Sequence, residues 1–411
     1  MLKTKLLPHQ EKSLTFYIKN KCVGDFSMMG TGKTLSVIAA VDCIKLPTVV
    51  VCPAFLVSNW MNEVDKHSDL VASPHFLKWK DGADITIVPY SQIHKAEEIF
   101  KRAKIVVTDE QHYLKNLDAK RTQVFHSYFY KYTPEYFFSL TGTPLKNRVN
   151  EIYSLLMLWS RWGTKPAILD KYKSYYTFCN RFTNVRQTAY GIQYSGSKNV
   201  EELRQYLLPY SIKHNADVLD LPELTESTVV AAYSEDPALQ RAFEEFKGVN
   251  SANITAKVNS AISKANFTSQ YVGQAIDDGL GPIVVFSDHR KPLEIMQLEL
   301  SKFRTAQING DISLDKRTEI IRQFSNGHID VLLATYGAGS TGINLTSSNL
   351  MVMNDLPWTV ADFEQAKKRS HRVGQTKPCR IVHIIGSKVD ETILRALNAK
   401  TKTINKVMEG V

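Results

Sequence analysis

Ser27-Met28-Met29-Gly30-Thr31-Gly32-Lys33-Thr34 stands between a short apolar run, Lys21–Phe26, and a segment with helical patterning, Lys33–Ile44. The order strand, glycine-rich loop, helix is that of a phosphate cradle. Gly30 and Gly32 let the loop wrap closely, so that backbone N–H groups can point inward. Lys33 places a positive charge at the β- and γ-phosphates, and Thr34 offers a hydroxyl to Mg²⁺. The helix N-terminus adds the positive end of its dipole. The first glycine of the general G-x-x-x-x-G-K-[ST] pattern is replaced by Ser27.

Outward from this loop, short β-branched runs alternate with helical patterns. Strands are predicted at Lys21–Phe26, Thr48–Cys52, Ile85–Val88, Ile105–Thr108 and Tyr136–Leu140, and helices at Lys33–Ile44, Val57–His67, Gln92–Ala103 and Asp118–Tyr130. That alternation predicts a parallel sheet covered by helices. Glu151 to about Leu208 is rich in Tyr, Trp, Leu and Lys and reads as a helical insertion; Asn250–Gln274 also reads as helix. From Pro282 the alternation returns, with strands at Ile283–Phe286, Ala306–Ile308, Val331–Ala334, Leu350–Met353 and Arg380–Ile385, and helices including Leu314–Phe324 and Phe363–Arg372. The expectation is two tandem α/β lobes. The first covers 1–225, with a helical insertion at about 151–215. The second covers 226–411, with an insertion at about 236–275 and a C-terminal helix at about 390–409. Asp220–Glu226, containing Pro222, is the expected hinge.

The chain has 411 residues, room for more than one core, and a formal charge of +10. A basic excess of this size favours polyanions such as nucleic acid or an anionic membrane surface. Five cysteines without a Cys-x-x-Cys pair suit reduced thiols inside a cell. No stretch has the apolar length of a membrane span, and the start is not a secretory signal.

Asp109-Glu110-Gln111-His112 follows an apolar strand, at the edge where open α/β sheets bind ligands. Asp109 is expected to help hold Mg²⁺, and Glu110 to orient and deprotonate an attacking water. Thr141-Gly142-Thr143-Pro144 follows another strand, where hydroxyls can sense the γ-phosphate network; the local alternative is an ordinary turn. On one helix, Gln365, Arg369 and Arg372 would fall at i, i+4 and i+7, along one face. Arginine's planar fork suits phosphate; the alternative is a solvated or DNA-facing basic helix.

In order and spacing, these segments resemble helicase superfamily two, and more narrowly the Swi/Snf-type DNA translocases. Leu6-Leu7-Pro8-His9-Gln10 is similar to the family's adenine-recognition segment, which implies that Gln10 reads the base. Met29-Gly30-Thr31-Gly32-Lys33-Thr34 resembles its phosphate loop, Cys52-Pro53 through Trp60 and Glu63 its first DNA-facing motif, and Asp109 to His112 with Lys115-Asn116 its DEAH-type box. Leu140 to Asn147 matches its coupling motif, and the stretch Gly339, Gly342, Asn344, Leu345 and the segment Gln365–Gln375 resemble motifs of the second lobe. Phe178-Cys179-Asn180, Tyr194-Ser195-Gly196-Ser197 and Glu201-Glu202-Leu203 resemble the annealing-helicase, fork-remodelling branch. Gln111, Ser27, and Tyr336 with Gly337 depart from the family pattern.

The resemblance implies two RecA-like lobes with parallel sheets and family-type helical insertions, and an ATP-dependent motor on double-stranded or forked DNA with Mg²⁺ as cofactor. It implies catalytic roles for Lys33, Asp109, Glu110, Arg369 and Arg372, with nucleotide contacts from Gln10, Met29, Gly30, Thr31, Gly32, Lys33, Thr34 and Gln365. Thr34 and Asp109 are the metal side. His112, Thr141, Gly142, Thr143 and Gly342 are the coupling residues, and Lys146, Ser287, Thr335 and Asn344 are candidate DNA contacts. Two other functions stay open: a strand-separating DNA or RNA helicase, and a DNA-binding assembly protein with a weak regulatory ATPase. A monomer without membrane association is expected, with targeting left to DNA structure or to a separate protein. The expected location is the cytoplasm or nucleoid of a bacterial or viral system, or the nucleus of a eukaryotic one.

Overall fold

The computed structural model describes residues 1–74, 77–145, 148–160, 168–188, 191–231, 251–339 and 343–407. The chain divides between Leu219 and Asp220 into two units; the residues from Lys402 onward group with the first.

The first unit carries β1 (Cys22–Asp25), β2 (Thr48–Cys52), β3 (Ala72–Ser73), β4 (Ile85–Pro89), β5 (Ile105–Asp109), β6 (Tyr136–Leu140), β7 (Asn184–Thr188), β8 (Gly191–Ser195) and β9 (Ser211–Ile212). Seven of these make one sheet, in the order β3-β4-β2-β5-β6-β1-β9, and every pairing in it is parallel. β2 shows why it needs cover on both faces: all of Thr48–Cys52 is buried. Val49 and Val51 join one core, while Val50 and Cys52 join the other. Successive side chains point to opposite faces, so a run of apolar residues serves two layers at once. On one side lie the helices Pro8–Asn20, Lys33–Ile44 and Val57–His67, through Tyr17, Ile38 and Trp60. On the other lie Phe125 and Phe129 of the helix Lys120–Tyr132 and the insertion's Trp159, Phe178 and Leu203.

The insertion is not purely helical. Between the helices Tyr175–Phe182 and Val200–Leu207, which follow the helix Tyr153–Trp159, β7 pairs antiparallel with β8. Ser174 caps the second helix, its hydroxyl accepting from Thr177 N at 3.2 Å. The chain then returns as β9 beside β1.

The second unit holds β10 (Leu224–Val230), β11 (Ile283–Ser287), β12 (Thr305–Ile308), β13 (Val331–Thr335), β14 (Leu350–Met353) and β15 (Cys379–Ile385). Their order is β10-β15-β14-β11-β13-β12, again parallel throughout. The segment expected as a hinge thus runs directly into an edge strand. Lys264, fully buried after the helix Ser251–Ser263, pairs with Asp390 at 2.7 Å and donates to Ile384 O at 2.8 Å. Two parallel-sheet α/β lobes are therefore present, as expected. No helix among the described residues is long and apolar enough to cross a membrane.

Candidate functional site

β1 ends on Asp25, a carboxylate in a strand with no exposed residue. Its Oδ1 accepts from Ser27 N at 2.8 Å, and Tyr17 OH donates to its other oxygen. This anchors the start of the phosphate loop. Ser27, the departure from glycine, is itself buried; its hydroxyl accepts from His214 N at 2.9 Å, from the chain leaving β9. Gly30 and Gly32 have φ of 88° and 80°, the left-handed region that glycine adopts without strain. A Cβ on Gly32 would also lie 2.2 Å from Gln10 Nε2. Lys33 Nζ donates to Ser27 O at 2.7 Å and Met28 O at 3.1 Å. Those carbonyls occupy the ammonium that a phosphate would claim. Thr34 is the second residue of the helix Lys33–Ile44.

Gln10 and His9 touch the same loop from the first helix. Gln10 Nε2 donates to Thr31 O at 3.2 Å, while its Oε1 accepts from Leu7 N; His9 Nε2 is 2.8 Å from Thr31 O. Met29 meets the turn after β6, where a Cβ on Gly142 would fall 2.9 Å from Met29 Cγ.

Asp109 closes β5. Trp60 Nε1 donates to its Oδ2 at 2.9 Å, Glu110 N to its Oδ1 at 3.0 Å, and Tyr90 OH to its carbonyl at 2.9 Å. Burial, followed by the charge of Glu110, pushes the Asp109 carboxyl up to about 6. A nearby cation would reverse that penalty, which is the demand a metal ligand makes. Glu110 itself has φ 54°, ψ 56°, an unusual left-handed setting for a glutamate. Its carboxylate accepts from Thr141 Oγ1 at 3.3 Å and lies 3.3 Å from His112 Nδ1. The geometry of the His112 contact makes no hydrogen bond. Thr141 Oγ1 accepts in turn from Thr143 N at 3.1 Å. Gln111 turns inward and accepts from Thr108 Oγ1, so this departure from the family pattern is a buried polar pair. Lys33, Asp109, Glu110, His112, Thr141, Gly142 and Thr143 thus lie in three adjoining turns at the C-terminal ends of β1, β5 and β6.

Among the described residues, no group of three or more His, Cys, Asp or Glu side chains could hold a metal unaided. One carboxylate and one hydroxyl, Asp109 and Thr34, suit an ion whose remaining ligands are phosphate and water, which is the habit of Mg²⁺.

In the second unit the helix carrying Gln365 spans Val360–Lys367, so the expected single face does not form. Arg369 lies in the turn that follows and Arg372 in a bend. The chain is diverted by tertiary hydrogen bonds: Leu345 N donates to Arg369 O at 3.0 Å, and Gln375 Nε2 to Ser370 O at 3.2 Å and Ser348 O at 3.0 Å. Lys367 faces Glu226 on β10, at 2.7 Å. Burial opposes it, yet His383 and Lys367 hold the Glu226 carboxyl down at about 2.

Ser287, expected near DNA, is fully buried and gives its hydroxyl to Asp355; Thr108 and Ser139 also spend theirs internally. Thr335 ends β13 and Asn344 is exposed, its Oδ1 accepting from Thr346 N at 3.3 Å. Lys146 and Gly342 lie outside the described residues. Tyr336, another departure, is core: it stacks on Phe286 at 5.4 Å and donates to Asp355 O at 2.7 Å. Asp25 and Tyr90 join these turns without a sequence motif to mark them, whereas His9 and Trp60 stand in segments that resemble family motifs but make contacts the motifs do not specify. A single charged residue inside the otherwise apolar run Cys22–Phe26 was the available signal for Asp25.

Residues 9–271 match the SNF2-related domain, and residues 269–374 match the helicase conserved C-terminal domain. The first match covers more than half of the chain, which therefore belongs to the SNF2-related family. Similar proteins include mouse (Mus musculus) chromodomain-helicase-DNA-binding protein 1-like, 24% identical over 96% of this chain and 48% of the relative. The mouse DNA annealing helicase and endonuclease ZRANB3 is 24% identical over 100% of this chain and 41% of its own. The Drosophila melanogaster SWI/SNF-related matrix-associated actin-dependent regulator of chromatin subfamily A-like protein 1 is 26% identical over 99% and 56%. The chain spans about half the length of these curated relatives. Among solved structures, the Sulfolobus solfataricus SWI2/SNF2 ATPase core in complex with dsDNA is similar, with 21% identity, a TM-score of 0.46, and coverage of 99% of this chain and 98% of that one.

Proposed function

We propose, from this family membership, that the chain is a DNA-dependent ATPase that moves along double-stranded DNA, remodelling DNA structures or stripping bound proteins. The observation that carries the reading is the position of Glu110. Its carboxylate is within 3.3 Å of both Thr141 and His112, and the turn holding Thr141 packs through Gly142 on the phosphate loop. These contacts support a reading in which Glu110 is the base for the attacking water and the turns of Thr141 and His112 report on nucleotide.

On ATP binding, Lys33 would exchange the carbonyls of Ser27 and Met28 for the β- and γ-phosphates. Thr34 and Asp109 would hold Mg²⁺, which neutralises phosphate charge as the terminal group leaves. Glu110 takes the proton of the attacking water, and Thr141 and His112 keep its oxygen aimed. Gln10, which donates to Thr31 O in the loop, would read the base. Arg369 and Arg372 of the second unit are proposed to counter charge on the departing phosphate, which ties hydrolysis to lobe closure. DNA would be held mainly through its phosphates, with Thr335 and Asn344 among the second unit's contacts and Lys146 among the first's. Fork regression or strand annealing is the finer form of the proposal, supported by the resemblance of the insertion to that branch.

The test is ATP turnover with no nucleic acid, duplex, single-stranded DNA, forked DNA and RNA at matched phosphate and fixed salt, with Lys33→Ala as the background. Stimulation by duplex, with fork at least as good, is expected. Stimulation by single strands or RNA alone would replace translocation with conventional unwinding, and no turnover above background would leave a binding role.

A further inference from the structure

β4 ends on Pro89, and the chain enters a short turn, Tyr90–Lys95. Tyr90 is buried, and its ring stacks on Tyr113 with centroids 5.1 Å apart and planes 7° from parallel. Beside this pair opens a recess of about 410 Å³, lined by Tyr90, Ser91, His94, Lys120 and Arg121 over an apolar floor of Ala119 and Val124. Ser91, His94, Lys120 and Arg121 are all exposed, so the recess is open along one side. A small-molecule site would instead enclose most of its ligand.

The charge in the recess is uncompensated. The neighbouring cations Lys115 and Lys131 are neutralised by Glu151 at 2.6 Å and Glu97 at 2.7 Å. Lys120 and Arg121 have no ion pair among the described residues; Arg121 instead rests over the Tyr113 ring at 5.7 Å. An ammonium, a guanidinium, a hydroxyl and an imidazole around an open groove form a donor set for a phosphodiester, in a chain of net charge +10.

We propose that this recess seats a backbone phosphate of duplex DNA, and that Lys120 and Arg121 are its ligands. The inference rests on the DNA reading above. The seat is one ring from the catalytic turn: Tyr90 OH binds the Asp109 carbonyl, and Tyr113 N donates to Glu110 O at 2.9 Å. A phosphate drawing on Arg121 would therefore bear on the residues that hold the water and the metal, which gives DNA a route to stimulate hydrolysis.

The experiment is binding of a labelled blunt duplex to the intact chain by fluorescence anisotropy over a range of salt. It compares the natural protein with Lys120→Gln, Lys120→Glu and, as a control for lost charge elsewhere, Lys302→Gln. Loss of one phosphate contact is expected to reduce the slope of log affinity against log salt by about 0.9 in Lys120→Gln. Affinity should fall by roughly 3- to 10-fold at physiological salt, and further in Lys120→Glu. Lys302→Gln should keep the natural slope, and an unchanged thermal midpoint shows that each variant is folded. Natural slopes in both Lys120 variants, with duplex still bound, would overturn the seat and leave the motor reading standing. No duplex binding by the natural protein would overturn both.

Discussion

Gly142 leaves no room for a side chain because Met29 fills the space. A Cβ there would meet Met29 Cγ at 2.9 Å and Met29 N at 3.4 Å. The turn after β6 and the glycine loop after β1 are therefore in direct contact, and either can displace the other. Gly142→Ala should push the loop, at a cost of about 1 kcal/mol from overpacking. The expected result is a rise of about five-fold in KM for ATP, with Met29→Ala in the same chain restoring most of it. An unaltered KM in Gly142→Ala would separate the two segments functionally.

Glu110→Gln should keep the nucleotide and lose the base. The change preserves shape, and Thr141 can still donate to the amide oxygen. Turnover should fall by roughly 10²- to 10⁴-fold, while binding of a fluorescent nucleotide is retained. Turnover within two-fold of the natural protein would move the role of base to another group.

His126 gives the first unit an acid-sensitive point. It is buried against Ser154 Oγ at 3.0 Å, and burial pushes its imidazole down to about 4. The folded state thus resists a proton that the unfolded chain accepts near pH 6.5. The stability conferred by the neutral ring is complete above that pH and is lost as pH falls from about 6.5 to about 4, by about 3 kcal/mol in all. Denaturant melts of His126→Gln should show a flatter dependence across that window, and a parallel dependence would exclude His126 as its source.

Lys264 and Asp390 are both buried, and Asp390 also accepts from Gly386 N at 2.9 Å and Ser260 Oγ at 2.9 Å. Lys264→Met should destabilise the second unit by about 3–5 kcal/mol, because the carboxylate would lose its counter-charge. Lys264→Met with Asp390→Asn should recover much of that loss. Thermal melts of the three variants measure the coupling; an additive double variant would show that the pair is not linked.

The parts that were legible in the sequence are those set by local pattern. The helices Lys33–Ile44 and Val57–His67 and the strands β2, β6 and β14 fall where apolar periodicity and flanking turns place them. The turns after β1 and β5 lie where the sequence places them, because glycines, a lysine and carboxylates follow directly on apolar strands. The end of the helix carrying Gln365 was not, because it depends on Leu345 and Gln375, some twenty residues before it and several after it. The pairing of β7 with β8 was hidden among helical signals in the same way, since each strand's partner sets it rather than its own periodicity. Ser287 was read by type as a polar contact. Only the position of Asp355 shows where its hydroxyl goes.

β9 is two residues long, yet it stitches the returning end of the insertion to the strand that feeds the phosphate loop. Phe26 N donates to Ile212 O at 2.9 Å and Met28 N to His214 O at 2.9 Å. Strain applied to the insertion, by a partner or by a bound duplex, would travel along this seam as along a drawstring. Lengthening or trimming the insertion would then retune the grip on nucleotide without altering any residue that touches it.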